Sequence, residues 1–417
     1  MSATARTDVA VIGGGMVGAA SALTCLERGL TVALIEPGGI RDAASYGNAG
    51  VISRGSLFPM AMPGLLSKLP TYALNRSAGI RVDYGSLLSA MPWFLAFIRR
   101  CNEASVREAA TALDPLCAAS YDEHWRVAGE IGARHLIEQR GWVKLYRTEA
   151  AFAASQFERD LLAQYRIGTE IIDGAELTQF EPALKRSYAK ALWFTETGSV
   201  TDPGGLVELY LEAARQRGAQ IIQARASAIE TPADGAQVRL DDGGLVQAGT
   251  VVLAAGAAAG DLARTLGYRI PFAAERGYHR HFEDAGAFKL SRPINDVEGA
   301  YVVSPMKAGL RVLTGVELAH RNARRNLAQM SLAETEAAGT VALGAAVEAD
   351  AWHGSRPSTP DGLPVIGRAP RHRNVIFAFG HNHIGLGTGP ITGRLVADLA
   401  TGTAPSIPIE AFSAARF

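Results

Sequence analysis

Apolar positions along the chain follow two periods. Short continuous apolar runs at 9–12, 31–35, 251–254 and 375–379 read as strands buried on both faces. Runs at 142–147, 191–195, 220–223, 301–304 and 310–316 read as further strands, with a turn at 307–309 between the last two. Helical spacing dominates from about residue 64 to 139 and returns near 203–217, 332–343 and 392–400. Asp202 can cap the 203–217 helix, with Pro203 in its first turn. The helix and strands from 203 to 254 follow one another with no domain-sized module between them, so strand 251–254 is expected to rejoin the opening sheet. The stretch 87–98, with Met91, Pro92, Trp93 and Phe94, is apolar enough to lie on a bilayer, but a buried helix is the expected reading. No apolar run reaches the roughly 20 residues of a membrane span. Nor is there any repeat of about 20–50 residues.

Composition narrows the function classes. The 417 residues carry 41 Lys+Arg and 41 Asp+Glu, a net charge of zero, so nothing favours nucleic acid as a partner. Length suits two domains. The three cysteines, Cys25, Cys101 and Cys117, lack paired spacing and fit a reducing compartment. Residues 1–7 are short and polar, leaving no room for a signal peptide, so a cytoplasmic location is expected. His279/His281 and His381/His383 form two His-x-His pairs with no carboxylate or cysteine at ligand spacing, and no metal is expected.

The chemistry begins at residues 8–18, Asp-Val-Ala-Val-Ile-Gly-Gly-Gly-Met-Val-Gly, followed by Glu36 and Pro37 after the next apolar run. Gly13 permits a tight turn, Gly15 lets backbone approach a pyrophosphate, and Gly18 allows close helix–strand packing. Met16 and Val17 then open a helix whose N–H groups and dipole face the phosphates. Glu36 stands where a carboxylate accepts from ribose hydroxyls. The alternative is a glycine turn serving packing alone. A second glycine-rich loop near the far end, Gly380 to Gly389, contains Gly385, Leu386, Gly387 and Thr388. A dinucleotide held near residue 15 and again near 385 is extended and gripped at both ends, as FAD is. The alternative for this loop is an ordinary helix start.

Taken in order, these segments resemble the FAD-dependent amino-acid oxidoreductases that include D-amino-acid dehydrogenases, glycine oxidase and sarcosine oxidase. The resemblance rests on Gly13–Gly18 with Glu36, on Ser45-Tyr46-Gly47-Asn48-Ala49-Gly50, on Thr201-Asp202-Pro203, on Val251 to Gly256, on Gly354-Ser355-Arg356-Pro357 through Asp361-Gly362 to Gly367, and on Gly380-His381 with Gly393 to Leu399. It spans almost the whole chain. The sequence departs from it at Asn382-His383-Ile384-Gly385-Leu386.

The resemblance implies an α/β fold with a Rossmann-type FAD-binding domain (1–60, 196–270 and 350–417) and a discontinuous, strand-rich substrate domain (61–195 and 271–349, with 61–140 largely helical). FAD contacts are expected from the first glycine turn and Glu36, from Pro37, Ser45, Asn48, Ala49 and Gly50, from Ala226, Ala255 and Gly256, and from Gly380 and Gly385–Thr388. Ser45 and Asn48 are expected at the flavin ring.

Arg356 is the expected anchor for a substrate carboxylate, because a guanidinium forks two N–H donors onto it. The alternative is a surface ion pair with Asp361. On strand 276–281, alternation points Tyr278 and Arg280 one way, and His279 and His281 the other. Tyr278 and His279 are candidate pocket residues or, equally, satisfied strand side chains. His383 and His279 are candidate bases. The expected reaction is oxidation of D-amino acids or cyclic D-imino acids such as D-proline, with electrons passing to a quinone or carrier. Alternatives are an oxidase using oxygen and a flavin subunit of a heteromeric dehydrogenase. Peripheral attachment at the inner face of the cell membrane stays open through 87–98.

Overall fold

In the computed structural model, residues 6–65 and 69–417 are described. The first sheet has a parallel centre in which Gln220–Ile222, Val32–Ile35, Thr7–Ile12, Leu245–Leu253 and His372–Phe379 lie side by side. Val9 and Val11 face one layer, Ala10 and Ile12 the other, and all four are buried. That double burial explains the unbroken apolar runs. Helices Met16–Glu27, Pro203–Gln216 and Gly389–Thr401 cover the Val9 face. The Ala10 face is covered by helix Ala259–Thr265 and by an antiparallel extension, Ala226–Glu230 and Ala236–Leu240. As expected, strand 251–254 rejoins the opening sheet: Val251, Val252 and Leu253 pair with Ala10, Val11 and Ile12 on one side. On the other they pair with Val375, Ile376 and Phe377.

The second sheet has eleven strands built around Ala273–Asp284. That long strand pairs with Gly309–Thr314, Val316–Leu318, Leu343–Ala346 and Trp352–Ser358, all antiparallel. A small third sheet, Val51–Ser53, Thr197–Val200 and Ile137–Glu138, completes the strand set. Within 350–417, Val365–Ala369 pairs with His372–Phe379 in the first sheet. Trp352–Ser358 pairs in the second sheet, and Arg356 is delivered from there.

Other departures are local. The helix expected at 332–343 runs Ala328–Thr340, and Leu343 starts a strand. Its early start is set by Asn326, whose Oδ1 accepts from Ala328 N at 3.1 Å. The helical stretch 64–139 contains Leu69–Ala73, Leu87–Arg100, Glu103–Ala118 and Ser120–Glu130, while its residues 66–68 lie outside the described residues. It also holds a three-residue strand, Ile80–Val82, too short to show a period. Within Leu87–Arg100, Trp93 is buried and stacks on Phe97, but Leu95 is 49% exposed, so the expected burial is only partial. Among the described residues, no helix is long and apolar enough to cross a membrane.

Candidate active site

Two helix starts converge on one space. The first turn of Met16–Glu27 has no side-chain cap and no acidic residue. Gly13 has φ +107°, and a Cβ there would lie 2.5 Å from Ala254 O; a Cβ on Gly18 would lie 1.8 Å from Gly13 O. Both sites therefore require glycine, as the fingerprint predicts. In front of the helix the space is open, since a Cβ on Gly15 would meet nothing nearer than Ser45 Oγ at 3.5 Å. Glu36 holds its carboxylate over the turn by accepting from Gly14 N and Gly38 N. The closing helix Gly389–Thr401 starts beside the first one, with Gly389 against Met16, and it too lacks a side-chain cap. Uncapped N–H groups at two adjacent helix ends suit an anionic, elongated ligand, and the residues present fit FAD.

The surrounding loops carry the other expected contacts. Ala255 and Gly256 follow Leu245–Leu253, with Ala254 and Ala255 against Gly13. Ala226 opens the antiparallel extension and packs in the same cluster as Ala255. Ser45 Oγ accepts from Met16 N at 3.1 Å, which places it at the start of Met16–Glu27. Asn48 Oδ1 accepts from Gly50 N at 2.8 Å, and Ala49 O accepts from Ser304 Oγ at 2.9 Å.

Two residues that sequence reading passed over fix the closing loop. Asn382, buried at φ +50°, accepts from Thr359 N and Ser358 Oγ at 3.1 Å each and donates to Gly380 O at 2.9 Å. It staples the loop to the Arg356 segment. His124, fully buried on Ser120–Glu130, donates from Nε2 to Leu386 O at 2.8 Å. Burial lowers its pKa to about 4, so the ring is neutral at neutral pH. His381 is buried with Nε2 at 3.0 Å from Thr392 Oγ1, and burial lowers it to about 3. The signal in the sequence was an asparagine between two histidines in a glycine-rich loop; His124 left none.

Arg356 and His383 lie near enough for the Arg356 charge to act on the His383 ring. Arg356 is half-buried and donates from Nη1 to Gly315 O at 3.1 Å; its guanidinium lies over Gly277. Among the described residues no carboxylate comes within 4.0 Å of it. The alternative partner, Asp361, instead pairs with Arg416 at 2.7 Å. Glu275, cross-strand from Arg356, is buried and accepts from Ser358 Oγ at 2.8 Å. Burial raises its pKa, against the Ser358 bond and the Arg356 charge. His383 is exposed on one side, with protein packed densely around the rest of it. That enclosure, followed by the charges of Arg356 and Lys144, lowers its pKa to about 4. Lys144 is ion-paired with Glu158.

Two expected site residues fall elsewhere. Pairing puts Glu275, Gly277 and His279 on the same face as Arg356, and Tyr278 on the opposite one. There Tyr278 is buried, donates to Glu317 Oε2 at 2.6 Å and accepts from Arg276 Nη2 at 2.8 Å. It is a core hydroxyl in a buried charge network, not a pocket residue beside Arg356. His279 shares the Arg356 face but lies in an aromatic stack, 4.8 Å from Trp352 and 6.0 Å from Tyr46 between ring centres. It is 1% exposed, Nδ1 has no partner, and burial drives its pKa far below the usual imidazole range. A buried ring with so low a pKa is not a base poised near working pH.

Comparison with known proteins agrees with this geometry. The sequence pattern of the family described as FAD dependent oxidoreductase matches residues 8–399. The chain is 33% identical to a D-amino-acid oxidase of Bradyrhizobium diazoefficiens over 98% of each chain. Its fold is similar to glycine oxidase from Geobacillus kaustophilus, with a TM-score of 0.79 and 24% identity over 99% of this chain and all of the other. It is also similar to L-proline dehydrogenase from P. horikoshii, with a TM-score of 0.72 and 18% identity over 99% and 98% of the two chains.

Proposed function

The chain belongs to the FAD-dependent oxidoreductase family, and from that premise we propose that it oxidises D-amino acids or cyclic D-imino acids at Cα. When bound, FAD supplies the acceptor for the Cα hydrogen and its two electrons. Arg356 carries the reading: a half-buried guanidinium with no carboxylate within 4.0 Å among the described residues offers two parallel donors to a substrate carboxylate. His383, neutral at neutral pH, is the acceptor that can orient the substrate amine by taking a hydrogen bond from it. The uncapped start of the closing helix favours negative charge in the space beside Gly387. After oxidation, water hydrolyses the imino acid formed from a primary amine to a 2-oxo acid and ammonia, whereas a cyclic imine opens to an amino-2-oxo acid that keeps its nitrogen.

For the electrons we propose a quinone or protein carrier. A second reading, transfer to oxygen, is favoured by the D-amino-acid oxidase among the relatives. Peripheral membrane contact at a cytoplasmic face fits the first reading, because exposed Leu95 shares its helix with Arg99 and Arg100. The test is anaerobic titration of the holoenzyme with D- and L-amino and imino acids, followed by readmission of air. Bleaching of the visible band by a D-substrate is expected. Bleaching by L-substrates alone, or by none, overturns the proposed substrate class. Rapid stoichiometric peroxide on admitting air selects the oxygen reading; slow reoxidation that a quinone analogue accelerates selects the first.

A further inference from the structure

Arg311 is 3% exposed, and among the described residues no carboxylate lies within 4.0 Å of it. A buried cation without an ion pair is costly unless its donors are used. Here Nε donates to His281 Nε2 at 2.9 Å, while Nη1 donates to the carbonyls of Tyr46 at 2.9 Å and Asn48 at 2.7 Å. Burial brings Arg311 down to about 10, so it stays charged at neutral pH. His281 is buried too, and with Nε2 accepting, its proton sits on Nδ1 and is donated to Glu348 Oε1 at 2.5 Å. Glu348 Oε2 accepts from His281 N at 3.0 Å.

A line of groups thus runs from a half-exposed carboxylate, through the second sheet, to two carbonyls of loop 45–50. The same loop is pressed from the side by Trp352, whose indole fills the space where a Cβ on Gly47 would sit, and whose Nε1 donates to Arg41 O at 2.7 Å. We propose that Glu348, His281 and Arg311 form a positioning chain that fixes loop 45–50 in the conformation that holds FAD, with the first two acting through Arg311. This rests on the assignment of that loop to the cofactor. It gives the otherwise unused His281 a role and explains why a cation is buried without a carboxylate beside it.

The test is titration of apo-protein with FAD for Arg311→Met, Arg311→Lys, Glu348→Gln and Asn48→Ala, with the visible band and the apo melting temperature recorded for each. Arg311→Met is expected to weaken FAD binding at least about 10-fold and to alter the band, with Arg311→Lys recovering part of the loss. Glu348→Gln should cost about 3-fold alone and nothing further in an Arg311-substituted chain, because its effect passes through that residue. Additive losses, or a lower apo melting temperature with unchanged FAD affinity and band, overturn the chain. If Arg311→Met does not fold, the same cycle run with Arg311→Lys decides. Normal FAD binding by the Arg311 variants together with weak binding by Asn48→Ala defeats the chain alone; normal binding by all of them defeats the loop assignment itself.

Discussion

In the parallel sheet the groups offered to a ligand are backbone: N–H groups at the starts of Met16–Glu27 and Gly389–Thr401, beside Gly13 and Gly18, which leave no room for anything larger. In the second sheet they are side chains. Arg356, Glu275, Arg311 and His281 all stand on strands paired around Ala273–Asp284, and which way each faces depends on register. The first region tolerates almost no change of shape but is indifferent to charge pattern. The second buries charges, and each must be met by a neighbour.

The comparison breaks most sharply at Gly18. A Val there would place Cβ 1.8 Å from Gly13 O, a distance no rotamer relieves. Gly18→Val is expected to yield protein without FAD, read as loss of the flavin absorbance on purification; yellow protein of normal stoichiometry would refute the backbone account. The next largest effect belongs to the second sheet. Arg356→Ala removes charge-assisted bonds worth about 1.5–3 kcal/mol each, so kcat/KM should fall roughly 10²–10³-fold, mostly through KM, with FAD content unchanged. A loss confined to kcat would mean that Arg356 does not anchor the carboxylate.

Tyr278 sharpens the contrast within one strand. Tyr278→Phe leaves Glu317 and Arg276, both buried, each short of a partner and should cost on the order of 1–3 kcal/mol of stability. Because the residue faces away from Arg356, kcat/KM should stay within about 3-fold of the wild type once folding is saturated. Denaturant unfolding alongside steady-state kinetics checks both halves. A large catalytic loss without destabilisation would restore Tyr278 to the pocket.

The same contrast explains what the sequence could and could not reveal. The glycine turn, Glu36 and the strand that rejoins the sheet are legible because backbone requirements are written as residue identity at fixed spacing. Alternation on 276–281 separated Tyr278 from His279 correctly, yet could not say which of them shares a face with Arg356. That depends on the pairing of Glu275 with Arg356 across two strands about 80 residues apart, which neither strand encodes alone. Asn382 looked like a departure from the usual loop and turns out to fasten it, since its side chain replaces backbone bonds that a glycine could not make. His124 reaches Leu386 O from a helix distant in sequence, and nothing local marks it.

The smallest predicted effect is a pH dependence that both regions share and that one substitution assigns to the closing loop. His124 and His381 are neutral and buried around the closing loop, with pKa values lowered by burial to about 4 and about 3 from 6.5. As pH falls below 6.5, the unfolded chain takes up protons that the folded rings refuse, so stability is lost on acidification. Each ring contributes a slope approaching about 1.4 kcal/mol per pH unit until its folded pKa is reached. In the second sheet His279, His281 and His353 are lowered too, by burial and then by neighbouring arginines, whereas the carboxylates Glu336 and Glu348 lose their contribution only below their ordinary value of 4.5. Between pH 6.5 and 5, acidification should therefore speed amide exchange both around 380–388 and across strands 273–284 and 309–314, where His279 and His281 pair with Leu313 and Arg311. His124→Gln keeps an N–H for Leu386 O but cannot titrate, so it should flatten the stability profile in that window by about one ring's share. An unchanged slope in this variant would mean that protonation of His124 opens nothing, and that the closing loop is held by Asn382 and the helix start alone.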